Sequence, residues 1–217
     1  MRILDVEQGS AQWIAARLGL PTASQFSRIL TPRTLKPSAS AERYLWELLA
    51  ERIIGQPAND ASTKFMERGK AMEAQAVAFY ELQRGVDTRR VGFVTRDDGL
   101  VGCSPDRFVG DDGLLEIKCA SAAVHVGALL GGVTDEYRAQ VQGQLWITGR
   151  QWCDLLYFNP EMPPVLTRME RDPEFIAALS QAVGSFAERL ADGAHRLAEA
   201  GCTFAPWFVE SNTEGVA

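Results

Sequence analysis

Two histidines, His125 and His195, are all that this 217-residue chain carries. A histidine-rich metal site or a Ser-His-Asp nucleophile therefore finds little material here. The four cysteines, Cys103, Cys119, Cys153 and Cys202, include no Cys-x-x-Cys pair. That spacing argues against structural zinc, an iron–sulfur cluster or a disulfide framework, and for reduced, buried thiols. No run of eighteen apolar residues occurs, so no transmembrane helix is expected. The opening Met-Arg-Ile-Leu-Asp-Val-Glu has no apolar signal segment, and a cytoplasmic location is expected. Positive charge is not in excess either, the formal net charge being −6. An acidic protein repels a polyanion at long range, so composition alone favours a small-molecule enzyme. A nucleic-acid substrate would require basic residues gathered on one face. Arg17, Arg28, Arg33, Lys36, Arg43, Lys64, Arg68, Lys70, Arg89 and Arg90 all fall in the first half. Acids are interspersed among them, and scattered solvated charge is the competing reading.

What is present is an ordinary globular composition, 46% hydrophobic and 23% charged, in a chain suited to one domain over residues 1–217. Ser10 can cap a short helix to Leu18, stopped by Gly19. Thr22 or Ser24 opens a second helix through Leu30, and two prolines make the stretch from Thr31 to Ser40 a loop. Tyr44, Leu45, Leu48, Leu49 and Ile53 form a helical stripe over Ala41 to Ile54, and Lys64 to Arg84 is the longest early helix. The period then changes to two. Val91 to Thr95, Leu100 to Phe108 and Leu114 to Cys119 read as strands separated by Asp-Gly turns. A helix from Thr134 to Thr148, strands from Trp152 to Phe158 and Val165 to Glu170, and an amphipathic helix from Pro173 to about Ala200 follow. The expected fold is α/β, a central mixed β-sheet flanked by helices. Residues 1–90 form its mainly helical part, 91–170 the sheet with an inserted helix, and 173–200 the C-terminal helix.

One stretch carries chemistry: Cys103-Ser104-Pro105-Asp106, an Asp111-Asp112-Gly113 turn, then Leu115-Glu116-Ile117-Lys118-Cys119. In a strand Glu116 and Lys118 point the same way, roughly 6–7 Å apart, while Leu115 and Ile117 face a core. A hairpin at the Asp-Asp-Gly turn would return Asp106 beside Glu116. Two carboxylates and an amine then converge. Carboxylate oxygens suit magnesium or manganese, and such a site can hydrolyse a phosphodiester. Solvated strand charge is the alternative.

Those residues resemble the PD-(D/E)xK nuclease core. The chain more widely resembles the lambda-exonuclease, or YqaJ-type viral recombinase, family. The matching segments are Val6-Glu-Gln-Gly9, Arg17-Leu-Gly19, Thr22-Ala-Ser24, Gly69-Lys70, Glu73, Ser104-Pro-Asp106, Glu116-Ile-Lys-Cys119, Ala139-Gln-Val-Gln142 and Glu170-Arg-Asp172. They run in family order over most of the chain. The resemblance implies a Mg2+-dependent 5′→3′ exonuclease, with Mn2+ as a substitute. It would act on linear double-stranded DNA with a 5′-phosphate and leave a 3′ overhang for recombination. It also implies a homotrimer ring, a single-strand annealing protein as partner, and a phage or prophage origin in a bacterial host.

Carried over by position, Asp106 and Glu116 would ligate metal, with the Ile117 carbonyl a further ligand and Lys118 beside the nucleophilic water. Glu73 would hold a second metal; an ordinary helix-surface glutamate is the rival reading. Gln140 would sit near the metals, although Tyr137 and Gln144 share its face and suggest a structural polar stripe. Arg17, Ser24 and Ser104 would hold the terminal 5′-phosphate, against the plainer roles of dipole partner and helix cap. Met66 would be a strand-separating wedge or a core residue. Arg107 follows Asp106 where the lambda type carries Gly. Another nuclease of the same core, acting as an endonuclease, and a non-catalytic DNA-end-binding protein are the rival functions.

Overall fold

The structure is a computed structural model and describes residues 1–58, 63–131 and 137–205, of 63–71 the backbone alone. A five-stranded mixed sheet forms its centre. In chain order its strands are β4 (Thr88–Arg90), β7 (Arg107–Val109), β8 (Gly113–Lys118), β9 (Trp152–Tyr157) and β10 (Val165–Glu170). Across the sheet they lie β10-β9-β8-β7-β4. Only the β8–β9 pair is parallel, as a helical crossover between them demands. A second sheet joins β1 (Arg2–Leu4), β5 (Phe93–Thr95) and β6 (Gly102–Cys103).

The strand alternation decides what covers each face. Leu115, Ile117, Leu156 and Phe158 pack against Ala76 and Tyr80 of α3 (Thr63–Arg84). Phe108, Leu114 and Cys153 face the opposite layer. That layer holds α2 (Ala41–Ile54), α5 (Arg138–Thr148) and α6 (Pro173–Glu199). The molecule is thus an α/β/α sandwich, the mixed α/β architecture expected. A shorter α4 (Ala122–Leu129) sets Ala128 against Leu155 and Tyr157. α6 is long enough to brace the whole layer: Phe175, Ile176, Leu179, Val183, Phe186, Leu190 and Ala194 are buried along one stripe. Its first turn is fixed by Pro173 and by Asp172, whose carboxylate accepts the Phe175 N–H at 3.0 Å.

Several expectations are corrected. The segment after Thr22 is a 3-10 helix, Ala23–Arg28, and not an α-helix reaching Leu30. The loop after Leu30 contains a small hairpin of β2 (Leu30–Thr31) and β3 (Lys36–Pro37). The strand expected from Leu100 to Phe108 is broken at Ser104-Pro105-Asp106, since proline cannot donate to a ladder. Its two halves join different sheets. The first part of the helix expected from Thr134 lies outside the described residues, as do residues 206–217.

Candidate active site

The hairpin forms where the Asp-Asp-Gly turn places it. Phe108 pairs with Leu114 and Arg107 with Leu115, so one step further back Asp106 comes opposite Glu116. Arg150 holds the turn shut: its guanidinium donates to the Gly110 and Gly113 carbonyls at 2.9 and 2.7 Å and lies 3.8 Å from the Phe108 ring centroid. The Asp106 carboxylate accepts the Ile117 N–H at 2.6 Å. Both acids are thereby anchored on the β7–β8 hairpin.

Glu116 is 4% exposed and accepts three side-chain donors. Lys118 Nζ and Gln140 Nε2 reach one oxygen at 2.8 and 2.7 Å, and Gln144 Nε2 reaches the other at 2.7 Å. Gln140 also accepts from Lys118 at 3.1 Å, which ties the three together. The Lys118 ammonium lies 4.3 Å from the Tyr137 ring centroid. α5 delivers both glutamines because it lies close against the 3-10 helix. A Cβ on Gly143 would stand 2.5 Å from the Phe26 ring, so only glycine allows this approach.

The electrostatics follow from burial. Desolvation, the Glu116 charge and, more weakly, Glu73 push the Asp106 carboxyl well above the usual range, against the Ile117 N–H and Lys118. Burial alone would lower the Lys118 ammonium; Glu116 outweighs it, and the group titrates above its ordinary value. A buried carboxyl raised by the charge of the carboxylate beside it is part of a donor set that a divalent cation would relieve. Gln144 Oε1 is buried with no donor among the described residues, leaving an acceptor for water there. The oxygen donors of Asp106 and Glu116 are of the kind that suits magnesium or manganese, which they would hold.

Glu73 is near enough for its charge to act on Asp106, but it has a partner of its own. Its carboxylate receives Arg107 Nη1 at 3.0 Å, so the residue in the family's glycine position spans to α3. Among the described residues no group of three or more His, Cys, Asp and Glu side chains is set to hold a metal. Ile117 enters through its amide. The side chain of Met66 lies outside what is described.

Trp13 of α1 (Ala11–Arg17) links Arg17 to Ser104, which follows β6, while Ser24 lies on the 3-10 helix beside Thr22. Trp13 Nε1 donates to Ser104 Oγ at 2.8 Å, and the Arg17 guanidinium lies 3.9 Å from the Trp13 ring centroid. Ser24 is exposed and 3.4 Å from Thr22 Oγ1; Thr22 and Arg17 line one cavity of about 440 Å³. Cys103 lies between the two sites. Its buried thiol is pushed up by desolvation and the Glu116 charge and pulled back by Arg17.

Of the basic residues in the first half, Arg28 and Arg43 are engaged by Glu47. Sequence reasoning missed the roles of Trp13 and Gln144. Only Gln144 had left a signal, its position one turn beyond Gln140 on the same helix face.

A YqaJ-like viral recombinase domain matches residues 12–151. An alkaline exonuclease from Laribacter hongkongensis is similar at 33% identity and TM-score 0.79, over 88% of this chain and 98% of that one. The same enzyme in complex with dAMP matches with the same values. A phage-related exonuclease from Haemophilus somnus 129PT shares the fold at 17% identity and TM-score 0.64, over 80% of this chain and 94% of that one. A comparison with curated protein sequences returned no match. The extent of the domain match and the likeness to the Laribacter enzyme lead to one conclusion: the chain belongs to the YqaJ-like viral recombinase family and has its PD-(D/E)xK nuclease fold.

Proposed function

We propose that this chain is a magnesium-dependent 5′→3′ exonuclease. In this reading it degrades one strand of linear double-stranded DNA and leaves a 3′ overhang for recombination by single-strand annealing. The observation that carries the reading is the convergence of Asp106, Glu116 and Lys118, with Arg17 in a separate cavity linked to them through Cys103. The Laribacter relative binds dAMP, and a nucleoside 5′-monophosphate is what the proposed reaction releases.

A bound divalent cation would supply Lewis-acid polarisation of the phosphodiester and a more acidic water. The chain's own residues do the rest. Asp106 and Glu116 would hold the cation. Lys118, kept charged by Glu116, lies where it can orient the attacking water and offset charge in the transition state. Gln140 fixes the Lys118 ammonium from the other side. Arg17, Ser24 and Ser104 would bind the terminal 5′-phosphate and so set the direction of digestion. Glu73 would serve a second metal through the oxygen that Arg107 does not engage. A homotrimer ring around the duplex, with an annealing protein taking the bare strand, completes the reading.

The test compares 5′-phosphorylated with 5′-hydroxyl linear duplexes, alongside a covalently closed circle. Lys118→Ala should reduce cleavage by roughly 10²–10⁴-fold while duplex binding persists. The circle should stay intact; its cleavage would make the protein an endonuclease. DNA binding without turnover in magnesium or manganese would make it an end-binding protein.

A further inference from the structure

Trp13 lines the cavity that holds Arg17 and touches both Arg17 and Ser104, and its chemistry constrains each. It lies four residues before Arg17 on α1, and its backbone N–H is held by the Ser10 cap at 3.2 Å. An indole N–H can only donate, so Ser104 Oγ must be the acceptor in their 2.8 Å bond. The Ser104 hydroxyl proton is therefore turned elsewhere, and among the described residues it has no acceptor. A serine that could have donated or accepted becomes an outward donor.

The other contact acts on Arg17. Its guanidinium lies against the indole face, and among the described residues it makes no hydrogen bond or ion pair. The two acids lining the same cavity are already engaged. Glu51 accepts the Gly19 and Ala58 N–H groups at 2.9 and 3.1 Å. Glu47 accepts from Arg28 and Arg43 at 2.7 and 3.1 Å. A largely buried cation with its donors uncommitted, beside a hydroxyl obliged to donate, is built for an anion.

We propose that Trp13 is the positioning residue of this anion cradle: its N–H sets Ser104 as a donor and its ring face holds Arg17 flat toward a terminal phosphate. The inference rests on the reading of the cavity as the 5′-phosphate site, and its test separates the two. Affinity for 5′-phosphorylated and 5′-hydroxyl duplexes is measured by fluorescence anisotropy without divalent metal, and the ratio of the two is the readout. A merely structural tryptophan would weaken both ends alike and leave the ratio unchanged.

Trp13→Phe keeps a ring face and removes the N–H. It should lower the ratio roughly tenfold, the effect of losing one hydrogen bond to a charged group. Ser104→Ala should lower it to the same extent, and the double variant no further. Arg17→Ala should erase the ratio. A wild-type protein with no preference would remove the phosphate reading and the inference with it. A preference lost in Arg17→Ala but intact in Trp13→Phe, or additive losses in the double variant, would overturn the role of Trp13 alone.

Discussion

Glu116 accepts donors from two elements on both carboxylate oxygens, and this fixes its direction before any ligand arrives. Residues that orient a ligand of this kind are worth about 10–100-fold in metal affinity or activity. Gln144→Leu removes the donor to one oxygen and should weaken manganese binding by about that factor, measured by isothermal titration calorimetry. Unchanged affinity in Gln144→Leu would mean that Lys118 and Gln140 suffice to hold Glu116. The alternation of Glu116 and Lys118 on one strand was legible in the sequence because a strand's faces are set two residues apart. The contacts of Gln144 with Glu116 and of Trp13 with Ser104 span 28 and 91 residues. No local period records contacts of that range.

Among the secondary-structure elements, β9 carries a second polar feature, remote in role from the site. Asp154 is fully buried and receives Arg168 through two bonds at 2.8 and 2.9 Å and the Tyr80 hydroxyl at 2.8 Å. It ties α3 and β10 to the centre of the sheet. Asp154→Ala leaves the buried Tyr80 hydroxyl without its acceptor while the half-exposed Arg168 returns to water, so it should lose about 1–3 kcal/mol in denaturant unfolding. A loss below about 1 kcal/mol would show the network to be unimportant for folding.

α6 depends on Asp172 in a milder way. The Phe175 N–H first, then Arg138, hold its carboxyl below the usual range. A depressed carboxyl stabilises the fold above its unfolded value and loses that contribution as pH falls through the folded one. Asp172→Ala should cost about 1–2 kcal/mol at neutral pH and Asp172→Asn much less. The gap from wild type should narrow below about pH 4; a gap independent of pH would assign it to packing.

The elements also show where sequence reading succeeds. Ala41–Ile54 and Val165–Glu170 were legible to the residue, the helix from its apolar stripe and Gly55 stop, the strand from β-branched and apolar alternation. β1 was not legible, because three exposed residues carry no period and exist as a strand only through pairing with β5. α4 was missed because Ala122–Leu129 is apolar on every side, its Val124 and Val126 exposed while His125 is fully buried. Such a run has no polar face to mark it as a helix.

For the whole molecule the issue is how a chain with net charge −6 works on a polyanion. Long-range attraction cannot retain it, and the proposed ring supplies retention by topology. Salt should then slow the loading of linear duplex, where screened charges still matter, and leave digestion by already loaded enzyme nearly unchanged. Equal sensitivity before and after loading would argue against enclosure, and sedimentation equilibrium should give the mass of three chains. The fold and the convergence of Asp106, Glu116 and Lys118 were legible in the sequence, through strand alternation and family resemblance together. The proposed ring has no such mark, because an interface between copies would leave none in the period of a single chain.

Manganese-soaked crystals of the protein test the central claim most directly. Anomalous scattering should place an ion about 2.1 Å from oxygens of both Asp106 and Glu116, with the Lys118 ammonium adjacent. Manganese bound elsewhere, or Asp106 and Glu116 turned apart in crystals of enzyme that still degrades DNA, would contradict it.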